Sequence, residues 1–106
     1  GIIKIYIIMP DNIYNMKTAK QTVTTEFEPI ELNESVKVSF ERNVAGDKTI
    51  IRGYIISSEN GEYLGNINVE NGNLAISIKR DMVDKETSAK ILTSIPEWIE
   101  SIESAE

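Results

Sequence analysis

The side chains of this sequence best equipped for chemistry are carboxylates. Glu26 and Glu28 alternate along one stretch, while Glu97, Glu100 and Glu103 recur at every third position near the end of the chain. Positions i and i+2 share a face of a strand, and positions i and i+3 are neighbours on a helix, so each set gathers negative charge on one surface. Such pairs can hold a hard cation together with backbone oxygens and water. They can also divide acid and base roles where a cleft separates their pKa values. Neither use is specified here. No stretch carries the ordered oxygen-ligand series of a calcium loop, and closely spaced glutamates are the ordinary content of a solvated face.

Absences narrow the chemistry further. The chain contains no cysteine and no histidine, which removes disulfides, thiolate metal sites and the usual base of neutral-pH hydrolysis. Tyr6, Tyr14, Tyr54 and Tyr63 can donate hydrogen bonds, but tyrosine in strands mainly supplies contact area. The glycines of "ENGEYLG" and "ENGN" lack the spacing and the strand-to-helix placement of a phosphate cradle. Lys79-Arg80, closed off by Asp81, is a short basic patch. Seventeen acidic against eleven basic side chains leave a formal charge of −6, which repels a polyphosphate at long range and argues against nucleic acid. No catalytic, cofactor-binding or metal-binding residue is assigned, and the expectation is a non-enzyme that needs no cofactor.

Protein interaction is the class that remains. Glu97, Glu100, Glu103 and Glu106 follow one another with no intervening lysine or arginine, a pattern that would attract a basic surface on another protein. Trp98, embedded in this segment, is either an interface anchor or a core residue, and it joins the three glutamates as a candidate interaction residue. The expected function is a small acidic protein-interaction domain, regulatory or inhibitory. One alternative is a structural adaptor or oligomerisation domain, including a homo-oligomer, that uses a free sheet edge. A carboxylate-dependent enzyme of unknown reaction is the remaining alternative.

The elements that must position these groups are those of an α+β domain, an antiparallel β-meander covered by a C-terminal helix or a pair of short helices. A chain of 106 residues suits one compact domain, residues 1–106. The apolar opening, interrupted by Lys4, is too short to span a membrane, and no signal-peptide pattern follows. Together with the lack of cysteine, this points to the cytoplasm. Residues 2–9 are isoleucine-rich and extended, with burial on both faces or under a helix expected; Pro10-Asp11-Asn12 ends them in a turn. The following "IYNMKTAKQ" is ambiguous. "NES" at 33–35 matches the glycosylation triplet, a pattern too frequent to carry weight.

Further strands are expected near 22–28, 36–42, 48–58, 62–70 and 73–79. Pro29 places the second of these at an edge, because proline cannot donate to a central ladder. Val36, Val38 and Phe40 alternate with polar residues, the mark of a half-buried strand. Gly53 suggests a bulge or a close approach. Asn60-Gly61 and Asn71-Gly72 both sit between strand-like runs and predict type I′ hairpins. Tyr63, Gly65, Ile67 and Val69 should share a face, as should Leu74, Ile76 and Ile78 on the next strand.

At the C-terminus the period changes. Ile91, Leu92, Ile95, Trp98, Ile99 and Ile102 fall within a helical arc roughly 120° wide. Pro96 costs about 3 kcal/mol in a helix interior, and Ser94 with Glu97 can form a capping box around it. Two abutting helices, 83–93 and 95–103, are therefore expected within the helical region 83–103.

Overall fold

The computed structural model describes residues 21–106 and, for the backbone alone, residues 2–7. The expected turn at 10–12 and the ambiguous segment after it lie outside the described residues. The protein is α+β: an antiparallel sheet followed by one helix. The strands are β1 (Ile2–Ile7), β2 (Gln21–Glu26), β3 (Ile30–Glu31), β4 (Val36–Ala45), β5 (Lys48–Ser57), β6 (Tyr63–Glu70) and β7 (Asn73–Ile78), and α1 runs from Lys85 to Ser104. The sheet order is β1-β2-β4-β5-β6-β7, with β3 paired to β4. β4 to β7 form the expected meander.

Pro29 does not mark an edge strand. β2 lies between β1 and β4, and Pro29 falls in the break between β2 and β3. The two short strands flank successive parts of β4: β2 pairs with 41–45 and β3 with 37–38. A break at the proline satisfies its missing donor and leaves the central strand intact.

The core forms where the sheet faces α1. Val36, Val38 and Phe40 of β4 alternate inward, joined by Ile51 and Ile55 of β5, Ile67 of β6, and Ile91, Ile95 and Ile102 of α1. Gly53 is a close approach and not a bulge: a Cβ there would lie 2.6 Å from Cε1 of Phe40. The ring of Phe40 fills the space in front of the strand because position 53 has no side chain.

The bulge occurs two residues later. Gly53 pairs with Ile67 and Ile55 with Gly65, but Ile56 pairs with Tyr63, so the register shifts between Ile55 and Ile56. That shift turns Leu64 into the core and leaves Tyr63 exposed, which breaks the expected common face of Tyr63 with Ile67 and Val69.

Of the two Asn-Gly turns, only one is type I′. Asn71 and Gly72 have φ of 53° and 77°, the paired positive values that such a turn requires. At the other site only Gly61 is positive, with φ 73°. The Ser57 N–H donates to Glu62 O at 2.9 Å and the Gly61 N–H to Ser57 O at 2.9 Å. This is a longer loop closed by a left-handed glycine. The Asn60 side chain accepts from the Glu62 N–H at 2.9 Å, so its role is that of an acceptor in place of a positive-φ turn residue.

The helix is continuous, in contrast to the two segments expected. Its cap is Asp84, whose carboxylate accepts from the Thr87 N–H at 2.7 Å, and Ser94 and Pro96 lie inside it. Pro96 is exposed, so the carbonyl it leaves without an intrahelical donor is on the side open to water, where the cost of an interior proline is smallest. A break at this point would separate Ile91 and Ile95 from Ile102, all buried against the same sheet. At about 1.5–3 kcal/mol per buried side chain, retaining that alignment outweighs the proline.

Candidate functional site

The three glutamates lie on the outer side of α1. At about 100° per residue, Glu97, Glu100 and Glu103 step around an arc of about 120°, and all three are exposed. No ion pair engages them among the described residues; the one that is seen joins Lys48 to Glu70 at 3.3 Å. Trp98 is separated from this face. It turns toward the sheet, half-buried, and its ring meets Phe40 edge-on with centroids 6.0 Å apart. Sequence reasoning grouped Trp98 with the glutamates because they are adjacent in the chain; helical geometry sends them in different directions.

The acidic face occupies an unfavourable place. The C-terminal end of a helix carries the negative pole of its dipole, which favours cations. The last turn of α1 contains no basic residue, and Glu100 and Glu103 add charge of the wrong sign beside it. The compensating cation comes from the sheet. Arg42 continues the inward row of Val36, Val38 and Phe40, and its Nη1 donates to the carbonyls of Ile102 and Ala105, the latter at 2.7 Å. Its guanidinium stacks over Phe27, with Cζ 5.7 Å from the ring centroid. The Nε atom is buried without a hydrogen-bond partner. This clamp was missed in the sequence, although an arginine in phase with three buried apolar residues was a visible signal.

Beside the clamp is a cleft of about 420 Å³ walled by Phe27, Ile30, Phe40, Trp98 and Ile102, with Glu28 at its margin. Ser101 also lines it, and among the described residues no hydrogen bond joins its hydroxyl to the Glu28 carboxylate. Of Glu26 and Glu28, only Glu28 lines this cleft. A wider opening of about 630 Å³ lies at the other end of α1, near Asn33, Arg80 and Asp84. Asn33, Asp84 and Thr87 there serve the fold. Asn33 Oδ1 accepts from the Ser35 and Val36 N–H groups at 2.8 and 2.9 Å, and its Nδ2 donates to Thr87 Oγ1 at 3.2 Å. The hydrogen bond from the Thr87 N–H holds the Asp84 carboxyl below its ordinary value of 3.8.

No group of three or more potential metal ligands occurs among the described residues. Among them, too, no helix is long and apolar enough to cross a membrane. Compared with known proteins, the chain matches no protein-family model, no curated protein and no solved structure.

Proposed function

We propose that this is a small acidic protein-interaction domain, regulatory or inhibitory in role, that uses the outer face of α1 to engage a basic surface on another protein. The observation that carries the reading is the placement of Glu97, Glu100 and Glu103. All three are exposed and unpaired among the described residues, and Glu100 and Glu103 are set against the helix dipole. Glu100 and Glu103 at that end cost about 0.3–1 kcal/mol each, and like charges three apart, Glu97 included, cost a few tenths more. A fold gains nothing from them. A partner presenting lysine and arginine would gain rapid, oriented encounter and rejection of acidic competitors.

Trp98 supports the same surface indirectly, by anchoring the helix through Phe40. A lysine- and arginine-rich helical peptide serves as the probe of this reading. Calorimetric titration should show binding that weakens steeply with salt, and replacing Glu97, Glu100 and Glu103 together by glutamine should abolish it. Equal binding by the triple variant would remove α1 from the interface. A second reading, an adaptor that works through a sheet edge, is favoured by the exposed apolar residues of β7.

A further inference from the structure

We infer that the chain pairs with a second copy of itself through β7, joining two sheets edge to edge about a two-fold axis at Ile76. The inference rests on the β7 edge and shares only Glu103 with the acidic face of α1. It begins with the direction of the backbone groups. The type I′ turn makes Glu70 and Asn73 a hydrogen-bonded pair, and such pairs alternate along an antiparallel ladder. Asn73, Ala75 and Ser77 therefore direct their backbone groups to Glu70, Asn68 and Asn66 of β6. The Lys79 N–H continues the series, donating to Leu64 O at 2.8 Å. The N–H and C=O groups of Leu74, Ile76 and Ile78 consequently point away from the sheet, where no described strand lies.

Up to Ile78, before Lys79 and Arg80 close it, this edge lacks the devices that keep edges apart. From Asn71 to Ile78 there is no proline and no charge, and β7 pairs regularly along its length. Leu74 and Ile76 remain 47% and 37% exposed, although their partners across the ladder, Val69 and Ile67, belong to the core or pack against it. They extend the core face past the area that α1 covers. On the helix, Leu92 is 51% exposed, and a groove of about 570 Å³ separates Ala89 and Leu92 from Ile78.

The occupant that fits is another β7. With the axis at Ile76, Leu74 pairs with Ile78 of the second copy and Ile76 with its own counterpart. Every outward-facing backbone position is then matched, with apolar side chains opposite one another. An axis at Ala75 would set Ile78 against Gly72, and one at Ser77 would set Leu74 against Arg80. Charge favours the same arrangement. No Asp or Glu lies between Glu70 and Asp81, so two acidic chains can meet here with the least repulsion.

A two-fold axis normal to the sheet also puts both helices on one side, running antiparallel across the join. Eighteen residues make about five helical turns, so Lys85 and Glu103 fall on the same stripe of α1 as Leu92. The groove beside Ile78 is lined by Lys85 and Leu92, which identifies that stripe as the one facing β7. The Lys85 end of one helix then lies opposite the Glu103 end of the other, unlike charge facing unlike.

Sedimentation equilibrium of the full chain over a wide concentration range tests the inference, with a mass of twice 11.9 kDa expected at the upper end. Ile76→Pro deletes an N–H that serves no bond within the chain. It should leave the circular dichroism spectrum unchanged and weaken self-association more than tenfold. Ile76→Lys, an inward charge on the edge, gives the same reading if the proline variant does not fold. In a hydrogen-bonded antiparallel pair the Cα atoms are about 5.5 Å apart, so Ile76→Cys, in a chain with no other cysteine, should cross-link through a short bis-maleimide. A wild-type chain at monomer mass throughout overturns the inference. So does a dimer that survives the Ile76 variants, or one that Ile76→Cys does not cross-link.

Discussion

Replacing Arg42 by methionine should loosen the end of α1 and lower the stability of the whole domain. The arginine donates two charge-assisted hydrogen bonds, to Ile102 O and Ala105 O, each worth about 1.5–3 kcal/mol. Its stacking on Phe27 adds about 0.5–1 kcal/mol. Against this, methionine removes the buried, unpartnered Nε, whose presence costs about 1–3 kcal/mol, and it retains much of the apolar stem. The balance is a loss of about 2–4 kcal/mol.

For a domain of this size each kcal/mol lowers Tm by about 4–8 °C, so thermal unfolding followed by circular dichroism should show a fall of about 10–25 °C. Hydrogen exchange should place the loosening first in the last turn of α1. Arg42→Lys keeps the charge without the fork-shaped group and should lie between the two. In a background where Glu97, Glu100 and Glu103 are glutamine, the loss should shrink, because less negative charge at the helix end needs compensation. A Tm within about 3 °C of wild type for Arg42→Met would refute the clamp.

Three further outcomes follow from the core, the turn and the cap. Trp98→Ala should cost about 2–3 kcal/mol in chemical denaturation, less than for a fully buried tryptophan because Trp98 is half-exposed; no shift of the midpoint would make it an interface residue only. Gly72→Val should cost about 1–3 kcal/mol through its φ of 77° alone, since a Cβ there meets nothing within 4 Å. Calorimetry of a Gly72→Asn variant, which tolerates positive φ, should recover most of that loss.

Asp84 governs one part of the acid response. Its folded pKa lies below 3.8, so its contribution is fully present above the unfolded value and is lost as pH falls through the lowered one. Asp84→Asn keeps an equivalent cap and should flatten that acid limb while leaving Tm at neutral pH nearly unchanged. An acid limb identical to wild type would exclude the carboxylate as its source.

Much of the sheet was legible because a period of two and an Asn-Gly turn act locally: Val36, Val38 and Phe40 face inward as their alternation requires, and Asn71-Gly72 turns as its residue types allow. What the sequence concealed depended on tertiary context. Pro96 signals a break, yet its exposed position and the common sheet beneath Ile91, Ile95 and Ile102 keep α1 whole. Pro29 signals an edge, yet it lies between strands. Tyr63 followed its alternation until a bulge two strands into the meander reversed it. The exposure of Glu97, Glu100 and Glu103 could be read from the helical period, and the inward phase of Arg42 from the alternation of β4; that its partners are carbonyls at the end of α1, sixty residues away, could not.

The central claim, that the outer face of α1 exists for binding, is tested most directly by capture from native extract with wild type and with Glu97, Glu100 and Glu103 changed to glutamine. Thermal unfolding of both baits is recorded alongside. The variant should melt about 4–8 °C higher, since removing charge from the wrong end of the dipole stabilises the helix by about 1 kcal/mol. It should also lose a set of basic proteins that salt elutes from the wild type. An unchanged set of captured proteins, or a variant that melts lower than wild type, would contradict the account.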